Sequence, residues 1–393
     1  NNGFSLILLF YQNSKFDLLI TVLFFSIVLG GVYGAGKKDE PAKTAGAAAV
    51  SAAEGTHTVV DFKGNSVEVP NKIERIVVLG PLPAPTVLTV FQQGKTSNIV
   101  GVSPDSVNGA KHSIFSKYAP DFQNISSSFY TGGKLNLEEL IKLKPDVVFY
   151  MDASVADPLR QAGIAAVALA HPSTGWDASP LVTLKSWMDT MAQTLQMESP
   201  AQQIIAYGEQ VEKEIKARIA KHPLSSPNKI LFISKYSDTT IASAGKKSFG
   251  QYWANLLGGI NLGGKATQGA INMEQIYEWQ PDQIFILTFS DKTPDNLYNN
   301  TAAPGHDWSG INAVKNRQVF KFPFGMHRWW PPTTDTPLAM WWFAKTARPE
   351  LFSDIDMNQK IKEYYKQFYN MTLTDADVEW ILHPRAEAKR QYF

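Results

Sequence analysis

The chain contains no cysteine among its 393 residues. That absence excludes disulfides, thiolate metal sites, thiol nucleophiles and a lipid-modified cysteine. An excess of either charge is also missing. Its 37 Lys+Arg and 36 Asp+Glu leave a net charge of +1, so nothing points to nucleic acid or an anionic membrane surface. The usual enzyme fingerprints are absent as well: no HExxH, no GxSxG elbow, no P-loop and no dinucleotide-binding glycine pattern. The histidines, His57, His112, His171, His222, His306, His327 and His383, include no i,i+4 pair, which leaves a helical zinc site unsupported. No catalytic residue, metal ligand or intrinsic cofactor is therefore expected, and the chain does not read as an enzyme.

What is present is a repeat. Residues 136–150 read NLEELIKLKPDVVFY and residues 272–286 read NMEQIYEWQPDQIFI, with a constant offset of 136. Asn136/Asn272, Glu138/Glu274, Pro145/Pro281, Asp146/Asp282 and Phe149/Phe285 are identical pairs. Each copy predicts a short helix, a Pro-Asp break and a buried strand. Asn136 with Glu139, and Asn272 with Gln275, have the spacing of a capping box, and Leu135/Leu140 and Ile271/Ile276 that of a hydrophobic staple. The box uses the third helical residue. Glu138 and Glu274, at the second, are left with no duty beyond favouring the positive end of the helix dipole. A repeat so widely spaced implies two similarly built lobes, not a solenoid.

In chain order, residues 1–36 carry Lys15 ahead of a dense apolar run from Leu18 to Leu29 and then small residues. That is the layout of a secretory signal peptide, with an uncleaved signal anchor as the alternative. Residues 37–56 are low in complexity and read as a flexible linker. A hairpin at 57–70 opens the N-terminal α/β lobe, 57–180, in which strands near 72–81, 98–103, 147–150 and 164–170 alternate with helices. Alternation of this kind implies a largely parallel sheet flanked by helices. A helical connector spans 181–222 and breaks at Ser199-Pro200, after which Ile204, Val211, Ile215 and Ile219 hold one face of a long helix. NKILFISKYSD at 228–238 restarts the pattern for a C-terminal α/β lobe, 228–370. Residues 371–393 hold a C-terminal helix and a polar tail that is expected to fray.

Aromatics make up 12% of the chain and crowd its C-terminal half, where the exceptional stretch is Phe324–Pro332, FGMHRWWPP. This stretch follows AVKNRQVFKFP at 313–323, which reads as a strand of the second lobe, and open α/β sheets place ligands just past such strands. Arg328 offers a planar, permanently charged fork for an oxyanion, and Trp329 and Trp330 offer flat apolar area. His327 and, after the first strand of the second lobe, Tyr236 join them as candidate ligand contacts. The competing interpretation packs both indoles in the core and pairs Arg328 with a nearby acid such as Asp335. Adjacent residues on an extended segment point to opposite faces, so at most one Trp is expected to meet a cleft.

The succession VVDFKGNSVEVPNKIERIVVLGP, NLEELIKLKPDVVFY, NLLGGINLGG and NMEQIYEWQPDQIFI resembles the periplasmic substrate-binding proteins of ABC importers. It is most similar to the group serving ferric siderophores, haem and cobalamin. The resemblance covers residues 57–370. It implies two α/β lobes joined by one long helix, with ligand bound in the cleft between them and only modest closure. It also implies a partner permease and ATPase in the inner membrane, and docking glutamates, one per lobe, that match Glu138 and Glu274. The expected cargo is a metal chelate, a ferric siderophore before haem or cobalamin, with a smaller oxyanion such as molybdate as the alternative; from other classes, a cleft enzyme or a surface receptor without transport stands behind these. The expected location is the periplasm, and the expected state a monomer.

Overall fold

Each copy of the repeat builds the same clamp. In the computed structural model, Asp146 draws the strand Val147–Tyr150 against Ile76–Val78: its carboxylate accepts from the Glu74 and Arg75 amides, both at 2.8 Å, while its own N–H donates to the Arg75 carbonyl at 2.8 Å. One lobe later, Asp282 accepts from the Lys229 amide at 2.8 Å and donates to the Lys229 carbonyl at 2.9 Å, which pairs Gln283–Ile286 with Lys229–Ser237. A cation closes each clamp. Arg75 Nε donates to Leu143 O at 2.7 Å, and Lys229 Nζ donates to Trp279 O at 3.0 Å. Leu143 and Trp279 are themselves a pair at the offset of 136, and both carbonyls lie just past the helical hydrogen bonds that would have satisfied them.

Residues 55–79, 83–131, 134–171, 178–199, 201–246, 248–266 and 269–389 are described by the structure. The stretch read as a signal segment (1–36), the linker up to residue 54 and Pro200, all expectations of the sequence, lie outside them. In the first lobe four parallel strands run in the order Ile99–Val102, Ile76–Val78, Val147–Tyr150, Ala165–Ala168, all buried on both faces or nearly so. The second lobe is parallel through Lys229–Ser237, Gln283–Ile286 and Val319–Lys321, but Thr240–Ser243 and Ala270–Ile271 add an antiparallel edge. The cause is local: Asp238 and Thr239 make a two-residue turn, too short for the crossover that a parallel partner needs. Thus the described residues are α/β, with two mainly parallel sheets flanked by helices.

The connector is the helix Ala201–Lys221, with Ile204, Val211 and Ile215 buried and Ile219 partly so. Gly208 lets it approach its neighbours closely. A Cβ there would sit 2.7 Å from Leu181 of the helix Pro180–Leu195 and 3.2 Å from Pro337 of the helix Thr336–Ala347. One continuous core runs through this junction, containing Ile76 and Phe149 of the first lobe and Phe232 and Phe285 of the second. A shared core resists large lobe rotation, because packed interiors switch between discrete arrangements and do not deform smoothly. No helix among the described residues is long and apolar enough to cross a membrane.

Three expectations need correction. Only Asn272/Gln275 forms the full capping box. In the first copy Asn136 accepts from the Glu139 amide, but Glu139 turns to Lys142 at 2.6 Å because the Asn136 N–H is already given to Phe129 O at 2.7 Å. The strand read across 313–323 is only Val319–Lys321, preceded by the short helix Asn312–Lys315. The C-terminal tail does not fray within its described residues, which run to Lys389. The helix Asp375–Leu382 is followed by a turn, Ala386–Ala388, in which Ala388 is fully buried.

Replacing Asp146 with Ala removes two amide bonds to a carboxylate, and replacing Asp282 removes one. Urea unfolding should show a loss of about 2–4 kcal/mol for Asp146→Ala and about 1–2 kcal/mol for Asp282→Ala.

Candidate functional site

The loop from Phe324 to Trp330 is held from beneath by one buried carboxylate. Asp335 is fully enclosed. Its Oδ2 accepts from the Met326 amide at 2.7 Å, Trp329 Nε1 at 2.9 Å and the Tyr365 hydroxyl at 2.9 Å, and its Oδ1 accepts from the Tyr369 hydroxyl at 2.6 Å. Burial pushes this carboxyl above its ordinary range, and the donors around it pull in the opposite direction. Gly325 passes so close that a Cβ would stand 2.0 Å from Asp335 Oδ2 and 2.4 Å from the Tyr365 oxygen. No residue other than glycine fits there.

Pinned in this way, the loop sends Arg328 to the junction of the lobes. Its guanidinium is completely buried and faces Asp105 of the first lobe, with Nη1–Oδ2 at 3.4 Å and Nη2–Oδ1 at 3.5 Å. Nε donates to Thr288 O at 3.5 Å and Nη2 to Ala388 O at 3.0 Å, while Phe289 and Phe324 lie 5.4 and 5.1 Å from the charge. Asp105 stands in the first turn of the helix Pro104–Lys111, whose Gly109 abuts the same loop: a Cβ there would lie 3.5 Å from Phe324 and 3.7 Å from Arg328 Nη1. The local acid imagined for Arg328, Asp335, is instead the anchor of Trp329. Sequence reading passed over Pro104–Lys111, although Ser103-Pro104 carries the same start signature as Ser199-Pro200; the Ser103 hydroxyl accepts from the Ser106 amide. Nothing local marks Thr288 or Ala388 as partners, because both contribute only carbonyls.

The other candidates separate. His327 is buried beside Arg328, with its ring edge-on to Phe324 at 5.7 Å. Trp329 and Trp330 both pack inward: Trp329 is tied to Asp335, and Trp330 lies against Phe232 at 5.0 Å and Phe322 at 5.4 Å. Tyr236 belongs to a different cluster on the second lobe. Its hydroxyl meets His306 Nδ1 at 2.7 Å and accepts from Trp308 Nε1 at 3.0 Å, and burial raises its pKa. Glu138 and Glu274 are solvent-exposed at the first turns of their helices.

Lys321 shapes the neighbouring wall. Its amine donates to the carbonyls of Leu287, Ser290 and Lys292 at 3.3, 2.6 and 2.7 Å, holding the loop that carries Thr288. Burial, reinforced by the Arg328 charge, pushes this amine down to about 7.

A family model described as periplasmic binding protein matches residues 76–324. The chain belongs to that family. A solved periplasmic solute binding protein from Veillonella parvula is 31% identical with a TM-score of 0.72, covering 83% of this chain and 97% of that one. Among curated relatives, the molybdate-binding protein MolA of Haemophilus influenzae is 25% identical over 333 residues, 79% of this chain and 90% of that protein. The iron-uptake system-binding protein of Bacillus subtilis is 25% identical over 327 residues, 78% and 90% respectively. As a periplasmic binding protein, the chain has relatives that bind solutes for ABC transport and are not enzymes.

Two measurements check this geometry. Asp335→Ala leaves four donors facing a cavity and should lower the unfolding free energy by about 3–5 kcal/mol, read by urea denaturation. Lys321 sits near 7 when folded and near 10.5 when unfolded. The unfolded chain therefore holds the extra proton between those values, so stability should climb as pH rises from 7 toward 10. Lys321→Met should flatten that climb in thermal melts.

Proposed function

We propose that this chain is the extracytoplasmic receptor of an ABC importer and that its cargo is a metal-containing anion held in the cleft between the lobes. The observation that carries the proposal is Arg328, a permanent charge enclosed at the lobe junction with donors facing both lobes. Its contacts to Asp105 and Thr288, at 3.4–3.5 Å, are long for charged hydrogen bonds. An oxyanion can therefore displace them and gain shorter, bidentate bonds in return. His327 lies beside the charge, Tyr236 stiffens the second lobe, and Trp329 and Trp330 set the loop's position from behind.

The close approach of Gly109 to the Arg328 loop suits a small tetrahedral oxyanion of the molybdate type, in keeping with what the Haemophilus relative is named for. A ferric siderophore is the second reading, favoured by the iron-uptake relative; haem and cobalamin follow. The receptor carries no chemistry of its own and hands its cargo to a permease, docked through the exposed Glu138 and Glu274. Residues 1–36 direct export, as a cleaved signal or as an anchor.

Thermal-shift titration against sodium molybdate, a ferric siderophore, haemin and cobalamin ranks the cargo, since a ligand of the native state raises the midpoint. The anionic cargo should give the largest shift, and Arg328→Gln should weaken its binding about 100-fold or more, the loss of a buried charged partner. Equal binding by Arg328→Gln would refute the assignment. Reversing both glutamates, Glu138→Lys with Glu274→Lys, should abolish uptake in cells while leaving affinity in solution unchanged. Normal uptake by that double variant would remove the docking role.

A further inference from the structure

The C-terminal segment from Asp375 to Lys389 crosses the lobe junction twice. Asp377 pairs with Lys117 of the first lobe, and Ile381 O accepts from the Phe324 amide of the second at 2.9 Å. Farther on, Ala388 O accepts from Arg328 Nη2 at 3.0 Å, Lys389 O accepts from Asn108 Nδ2 of the first lobe at 3.3 Å, and Lys389 Nζ reaches Asp291 of the second at 3.2 Å. Pro384 and Ala388 face inward, and the residues between them are exposed. The last described turn therefore puts a backbone carbonyl on the buried Arg328 charge at the junction.

We infer that Asp375–Lys389 is a strap joining the lobes, and that its final turn stands in for cargo at Arg328 until cargo displaces it. This rests on Arg328 being the cargo's charge, as proposed above. The magnitudes favour a releasable end. The Lys389–Asp291 pair is half exposed, and such pairs contribute little. A neutral carbonyl is a weaker partner for a guanidinium than an anion is. The helix Asp375–Leu382, by contrast, buries Val378 and Ile381 in the shared core and stays put when the end lets go. An occupied charge scales apparent affinity down to the fraction of molecules in which the strap is unseated. The strap thus tunes capture without touching the permease-facing surface.

The chain has no cysteine, so Asp157→Cys on the first lobe and Glu278→Cys on the second, both exposed, accept spin labels without background. Label distances would be measured in the full chain, in a chain ending at Pro384 and in Lys389→Glu, which keeps the length and the buried turn. Stopped-flow tryptophan fluorescence would follow sodium molybdate binding to the same three proteins without labels. Shortening should broaden and lengthen the distance distribution and raise the association rate about tenfold; Lys389→Glu should move both in the same direction by less. Superposable distances and equal rates in all three would overturn the strap. Arg328→Gln in the shortened chain separates the two readings. If it abolishes molybdate binding while shortening changes nothing, the strap fails and the cargo site stands. If shortening lengthens the distances yet Arg328→Gln binds normally, the strap survives as a lobe tie and the cargo site fails.

Discussion

A carboxylate with no access to water, Asp335, governs where the loop from Phe324 to Trp330 runs. Desolvating an acid is costly, and the cost is recovered only if its oxygens are saturated with donors. Four donors meet that demand: a backbone amide, an indole and two tyrosine hydroxyls from the helix Met357–Tyr369. Because two of them, the Met326 amide and the Trp329 indole, belong to the loop itself, the loop cannot shift without leaving a buried charge unsatisfied. Arg328 lies between those two residues and inherits their rigidity. The position of the positive charge at the lobe junction is thus set by an acid that never touches it.

The two lobes reach the same design by the same local chemistry. Asp146 and Asp282 each tie the repeat strand to the first strand of its sheet, and Arg75 and Lys229 each cap the helix before it. These clamps leave Glu138 and Glu274 on the outside and put the strand ends on the inside, where the loops diverge in sequence. Repetition belongs to the scaffold. What lies between the lobes, Asp105, Thr288, Arg328 and Ala388, has no counterpart in the repeat.

Much of this was legible in the chain. The fold class, the two lobes, the long connector and the repeat's helix-break-strand units follow from periodicity, capping residues and proline placement, which act over a few residues. The incomplete box at Asn136 was not legible, because its cause is Phe129, whose carbonyl reaches it only after the connecting loop has folded back. The antiparallel edge of the second sheet came from the length of a single turn. Of the candidate contacts, Arg328 and His327 come together at the junction, Tyr236 belongs to a separate cluster, and the indoles of Trp329 and Trp330 turn inward. Adjacent residues on an extended strand would diverge, but this loop is wound around Asp335 and follows no strand geometry.

What the sequence determined by itself is the scaffold and its family, because both are encoded in short-range patterns that survive without knowledge of the rest of the chain. What only the tertiary structure decided is the company Arg328 keeps. Three partners among the described residues sit 223, 40 and 60 residues away, and two of those three offer backbone carbonyls, which every residue has. No residue type announces such a contact. It exists because the buried carboxylate of Asp335, the glycines at 109 and 325 and the returning C-terminal turn leave the guanidinium a single place to go.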